Sequence, residues 1–119
     1  MSDTLNILCI GAHPDDCDLQ MGGMAIKYAR LGHRVKFASL CNGNAGHYSM
    51  GGGPLARRRY AETQRSAAIA GIEYVVMDTP DCQIMPTLEQ RWVVLTLIRD
   101  FQADLVITNR PNDYMADHR

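Results

Sequence analysis

Four short apolar runs, each of the first three followed by a stretch long enough for a helix, constrain this chain more than any other feature of its sequence. LNILCI (5–10), RVKFASL (34–40), IEYVVM (72–77) and DLVIT (104–108) read as strands. Between them, LQMGGMAIKYARLG (19–32) reads as a helix that offers Leu19, Met24, Ile26, Tyr28 and Leu31 for packing and stops at Gly32. ARRRYAETQRSAAIA (56–70) is a second helix, ended by Gly71. A third runs from Leu88 to Gln102, capped by Thr87 with Gln90 as its capping-box partner. Its stripe of Leu88, Trp92, Leu95 and Ile98 predicts that Trp92 packs. NGNAGHYSMGGGPL (42–55) and DTPDCQIMP (78–86) read as loops.

Strands that are nearly continuously apolar are buried on both faces, which fits a parallel sheet with helices on either side. The expected fold is therefore an α/β, Rossmann-like doubly wound sheet with strand order 3-2-1-4, in one domain over residues 1–119. The sequence runs only about eleven residues past the fourth strand, too few for a helix to cover that side. That leads us to expect the N-terminal part of a longer fold, with self-association through the uncovered face an open possibility.

In such a sheet the strand order reverses between strands 1 and 4, and ligands bind outside the carboxyl ends of strands at that point. Those two ends carry the most polar stretches of the chain, GAHPDDCD (11–18) and NRPNDYMADHR (109–119). His13 and Asp16 stand three apart in a turn that opens a helix, and Pro14 stiffens that turn. An imidazole and a carboxylate suit Zn²⁺, and a third ligand from His118 leaves a tetrahedral site with one open position for water. Asp15 then stays off the metal and is free to act as a general base. Against this stands a plain surface turn, and the residue pattern by itself leaves both readings open.

AHPDD after a first strand, with the glycine pair Gly22 and Gly23 in the first helix, resembles the LmbE/PIG-L family of zinc-dependent N-acetylglucosamine-type deacetylases. NDYMADHR is similar to that family's second motif, usually His-x-Asp-His. The resemblance spans essentially the whole chain and implies His13, Asp16 and His118 as Zn²⁺ ligands and Asp15 as catalytic base. It implies a hydrolase that removes the acetyl group from a small-molecule N-acetylated sugar or glycoconjugate. The metal activates water and polarises the acetyl carbonyl, and Asp15 moves the proton to the leaving amine.

Two positions depart from the family pattern. Cys17 stands where relatives have Glu, and Met115 replaces the histidine thought to stabilise the oxyanion. Methionine donates no hydrogen bond, so the expectation is retained metal binding with weakened turnover. At the limit, a catalytically impaired metal- or carbohydrate-binding relative is the alternative.

Arg59, with Glu62, matches an Arg-x-x-Glu pattern of the family's second helix and reads as a substrate contact or as an exposed ion pair. Asp81 follows Pro80 where relatives carry an acidic residue near the sugar, and reads as substrate-binding or as a turn residue. SMGGGP (49–54) reads equally as a lid or as a flexible loop, His47 as solvated, and His33 as a turn residue.

Composition narrows the remaining classes. A formal net charge of −1 without long charged runs gives no sign of a nucleic-acid or membrane partner. No GxGxxG or Walker pattern supplies a phosphate cradle, which disfavours a nucleotide-binding domain. No signal-peptide pattern is visible, and the four cysteines, Cys9, Cys17, Cys41 and Cys82, form no CxxC pair. They are read as reduced thiols of a cytoplasmic protein, with Cys17 a packing or loop residue rather than a ligand.

Overall fold

The computed structural model describes residues 3–119. Strands β1 (Asn6–Gly11), β2 (Arg34–Cys41), β3 (Glu73–Thr79) and β4 (Leu105–Thr108) alternate with helices α1 (Asp16–Arg30), α2 (Gly52–Ala70) and α3 (Leu88–Phe101). A short 3₁₀ turn over Ala116–His118 follows β4. The four strands form one sheet in the order β3-β2-β1-β4, with every neighbouring pair parallel. This is the α/β doubly wound arrangement expected from the apolar runs.

Side chains alternate across β1, and each face meets its own helix layer. Ile7 and Cys9 pack with Val35, Phe37 and Tyr74 under Cys17, Met21, Ala25 and Tyr28 of α1 and Ala67 of α2. Leu8 and Ile10 face the other way, with Ala38, under Val93, Val94, Leu97, Ile98 and Phe101 of α3. Burying both faces of a central strand explains why its sequence shows no polar alternation.

The packing face of α1 differs from expectation. The helix begins at Asp16, three residues earlier than read from the sequence, and Cys17 sets its phase by facing β1. Met21, Ala25 and Tyr28 follow at helical spacing, whereas Leu19, Met24 and Leu31 are exposed. In α3 the buried seam is likewise rotated from the expected stripe: Leu97 and Phe101 are buried, and Trp92 is 57% exposed. Thr87 does cap α3, accepting from the Gln90 amide at 3.2 Å, but the Gln90 side chain reaches Thr79 Oγ1 and leaves the capping box half made.

α2 takes in Gly52, Gly53 and Pro54 as its first turn, so part of the segment read as a lid is helical. Gly71 ends it in the left-handed region, at φ 72°, where a Cβ is strained. β4 lies at a sheet edge with Leu105 and Val106 exposed. No helix among the described residues is long and apolar enough to cross a membrane.

Candidate metal centre

The strand order puts the carboxyl ends of β1 and β4 side by side, with Ile10 paired to Thr108. β1 ends at Gly11, and the chain turns through Ala12–Asp15 into α1. Asp16 braces this turn, its Oδ2 accepting from the Ala12 and His13 amides at 3.0 and 2.9 Å. The Ala12 carbonyl accepts from the Cys41 amide at 2.9 Å and the Ser39 hydroxyl at 3.1 Å, which ties the turn to β2. A Cβ on Gly11 would stand 2.8 Å from Asp16 Cβ, so glycine there is what lets α1 begin against the strand.

Three ligand-type atoms converge at this point. His118 Nε2 is 3.1 Å from Asp16 Oδ2 and 3.3 Å from His13 Nδ1, and His13 Nδ1 is 3.5 Å from Asp16 Oδ2. Ligands about 2.0 Å from a tetrahedral ion lie roughly 3.3 Å apart, so the triangle has the size such an ion needs. The far nitrogens of both rings meet carboxylates. His13 Nε2 is 3.0 Å from Asp117 Oδ2 and 3.1 Å from Asp81 Oδ1, and His118 Nδ1 is 3.3 Å from Asp113 Oδ1. Imidazoles that offer one nitrogen to a metal and the other to a carboxylate are the usual construction of zinc sites.

Charge tells the same story. All these side chains are largely buried, and the four carboxylates of Asp16, Asp81, Asp113 and Asp117 share two imidazoles. His13 is pushed up to about pKa 9, chiefly by its contact with Asp16, against the opposing effect of burial and helped by Asp117 and Asp81. For Asp16, burial pulls upward, but the His13 donors and the His118 charge hold the carboxyl below its ordinary range. The Met115 amide and the His118 ring hold Asp113 low as well. Nitrogen and oxygen donors, a triangle of the right size and surplus negative charge together fit a divalent cation.

Asp15 stands apart from the triangle. It precedes α1, and its Oδ2 is 3.3 Å from Arg59 NH2 of α2. Arg59 therefore pairs with Asp15 at the head of α1, and Glu62 is not its partner. Asp81, expected near a sugar, turns its carboxylate inward to His13, because Asn44 Oδ1 holds the Asp81 amide at 3.0 Å. A cavity of about 540 Å³ opens beside Asp16 and His118, lined also by Gln20, Arg110, Asp113 and Tyr114. Asp15, Arg59 and Asp81 do not line it.

Met115 contributes backbone, donating its amide to Asp113 Oδ1 at 3.0 Å and accepting from the His118 amide at 3.1 Å. His47, expected in solvent, is half-buried and organises its loop, its Nδ1 accepting from the Ser49 and Met50 amides at 3.1 Å each. His33, read as a turn residue, accepts from the Leu5 amide just ahead of β2, and Cys17 is buried in a packing role with its thiol directed at the Cys9 carbonyl. Sequence reasoning passed over Asp113 and Asp117. The available signal was their place in one short segment with His118, since carboxylates close to a ligand histidine are candidates to back it.

Residues 8–119 match the PIG-L family, GlcNAc-PI de-N-acetylase. The chain is 34% identical over 113 residues to a diacetylchitobiose deacetylase of Thermococcus kodakarensis, covering 92% of this chain and 42% of that protein. The structure of the N,N'-diacetylchitobiose deacetylase from Pyrococcus horikoshii, solved with its inhibitor MPG, superposes with a TM-score of 0.89. That alignment is 30% identical and covers 98% of this chain and 46% of the other. The conserved protein TT1542 from Thermus thermophilus superposes with a TM-score of 0.83 at 25% identity, over 97% and 50% of the two chains. The chain thus spans about half the length or less of these relatives.

Proposed function

The chain belongs to the PIG-L family of de-N-acetylases, and on that premise we propose that it forms the metal centre of a zinc-dependent N-deacetylase acting on an N-acetylglucosamine-type sugar or conjugate. The observation that carries the reading is the triangle of His13 Nδ1, Asp16 Oδ2 and His118 Nε2, with edges of 3.1, 3.3 and 3.5 Å. The diacetylchitobiose deacetylases to which the chain is similar support the substrate class.

When bound, Zn²⁺ supplies Lewis acidity, making water a nucleophile near neutral pH and polarising the acetyl carbonyl. The protein's own contribution follows from its side chains. His13, Asp16 and His118 hold the ion, and the carboxylates behind the two rings keep each imidazole in the tautomer that leaves a lone pair free for it. The Asp15 carboxylate takes a proton from the attacking water and passes it to the amine as the C–N bond breaks, leaving acetate and a free amine. Asp15 pairs with Arg59 at 3.3 Å and is not one of the three residues that would hold the ion, which leaves its carboxylate available as the base. The cavity beside Asp16 and His118, with Arg110 and Gln20 at its walls, offers polar contacts to a sugar.

The test is acetate release from N,N'-diacetylchitobiose by protein with and without stoichiometric Zn²⁺, with Asp15→Asn as control. The reading requires a metal-dependent rate and its fall by about 10²-fold or more in Asp15→Asn. Equal rates with and without metal, or an unimpaired Asp15→Asn, overturn it.

A further inference from the structure

Among the large apolar and aromatic side chains of the described residues, none is more exposed than Tyr48, at 96%. It stands in the loop between β2 and α2, and its ring is nevertheless held. It stacks on His47, with ring centroids 4.6 Å apart and planes 22° from parallel. His47 is anchored in turn, its Nδ1 accepting from the Ser49 and Met50 amides. One face of the Tyr48 ring thus rests on a fixed support, and the other is offered to solvent.

The root of this loop is fixed beside the reaction centre. A Cβ on Gly43 would stand 3.0 Å from Pro14 Cδ and 3.4 Å from Arg59 Nε, and one on Gly46 would stand 3.3 Å from Asp81 Oδ2. Gly43 also adopts φ 72°, so both its conformation and its close approach to Pro14 call for glycine. Asn44 ties the loop down: its Oδ1 accepts from the Asp81 amide at 3.0 Å, and its carbonyl accepts from the Gly52 amide at 2.9 Å. Pro14 adjoins Asp15, which Arg59 pairs at 3.3 Å. Tyr48 lies two residues beyond Gly46, within about 7 Å along the chain. The loop therefore borders the Asp15 side of the metal triangle. The cavity beside Asp16 and His118 opens instead toward β4, and none of residues 42–55 lines it.

A pyranose ring carries a face of C–H bonds, and the electron-rich face of an aromatic ring accepts such a surface without needing a polar partner. A tyrosine loses little freedom in making the contact, and less here because His47 already sets its plane. We propose that Tyr48, supported by His47, is the platform for the sugar ring next to the one that loses its acetyl group, so that the site prefers a disaccharide to a single N-acetylglucosamine. The inference rests on the deacetylase reading above.

The test is the ratio of kcat/KM for N,N'-diacetylchitobiose to that for N-acetylglucosamine, measured for the Zn²⁺-loaded parent, Tyr48→Ala and Tyr48→Phe. The ratio should fall about 3- to 10-fold in Tyr48→Ala, through a raised KM for the disaccharide, and stay near the parent's in Tyr48→Phe, which keeps the ring. An unchanged ratio in Tyr48→Ala overturns the proposal. An equal fall in both variants does so too, because it assigns the contact to the hydroxyl and not to the ring face. Saturation transfer from aromatic protons to N,N'-diacetylchitobiose on Asp15→Asn protein reads the contact without turnover. The transfer should drop when Tyr48→Ala is added, and a signal that does not change counts against the platform. If the parent releases acetate from neither sugar, the deacetylase reading fails, and the saturation transfer still decides whether Tyr48 holds a sugar.

Discussion

Replacing Gly11 by alanine adds one methyl group at the point where β1 hands over to α1. Its carbon would stand 2.8 Å from Asp16 Cβ and 3.3 Å from Cys17 Sγ. Asp16 Cβ is anchored to the first residue of a helix and cannot swing aside, so restoring ordinary carbon–carbon contact moves the start of α1 away from the strand by roughly 0.7 Å or more. Overpacking of this kind costs about 1–3 kcal/mol. The same shift carries Asp16 Oδ2 away from two partners that stand 3.1 and 3.5 Å from it, His118 Nε2 and His13 Nδ1. Zn²⁺ affinity should therefore fall at least tenfold beyond what the stability loss explains, since misplacing a catalytic geometry by about 1 Å is costly. Urea unfolding of the metal-free protein and chelator competition of the loaded one separate the two effects. Gly22→Ala is the control: its Cβ meets nothing within 4 Å, and the change in α1 should be neutral or stabilising by about 0.5–1 kcal/mol. A Gly11→Ala protein that unfolds and binds Zn²⁺ like the parent refutes the steric account of why glycine stands at the mouth of the site.

Met115→His, which restores the residue of the family motif, should raise the deacetylation rate by about 10²-fold and leave Zn²⁺ affinity unchanged; a rate no higher than the parent's sinks the oxyanion argument. In the metal-free protein His13, pushed up to about pKa 9 from an ordinary value near 6.5, gives stability that is full below about pH 6.5 and disappears as pH rises through about 9. The effect is up to about 3 kcal/mol and appears as a falling urea midpoint between pH 6 and pH 8.5 in the presence of a chelator. His13→Gln should flatten that fall, and a parent midpoint that does not move over this range excludes the assignment.

The chain-level architecture was legible because it follows from patterns that survive without tertiary context. Four apolar runs of strand length separated by helices leave few arrangements other than a parallel sheet, and the switch-point rule then pairs residues 11–18 with the last stretch of the chain. What stayed hidden was orientation. The phase of α1 depends on Cys17 facing β1, a contact no periodicity in Leu19, Met24 or Leu31 reveals. Trp92 is exposed because the α3 seam is chosen by the sheet and not by the size of the side chain. Asp81 and Arg59 were found as polar residues near the pocket, but which way a loop or helix side chain turns is decided by partners far along the chain. Asn44 is 37 positions from Asp81, and Asp15 lies just ahead of α1 whereas Arg59 belongs to α2.

The arrangement also explains why the site is spread over so much of the chain. Asp16, Asp81, Asp113 and Asp117 arrive from α1, the loop after β3 and the segment after β4, and four carboxylates, two buried and two partly buried, gathered by three elements repel one another unless positive charge is present. Without a metal, a proton on His13 is the nearest source of that charge, which is the physical content of its raised pKa. A divalent cation displaces that proton and supplies the charge itself, so metal and proton compete for the same His13 nitrogen. It follows that Zn²⁺ affinity should climb with pH up to about 9, by close to tenfold per unit where His13 is the only group to release a proton. The stability lost by the metal-free protein over the same range is the other side of that competition, so both slopes must vanish together in His13→Gln.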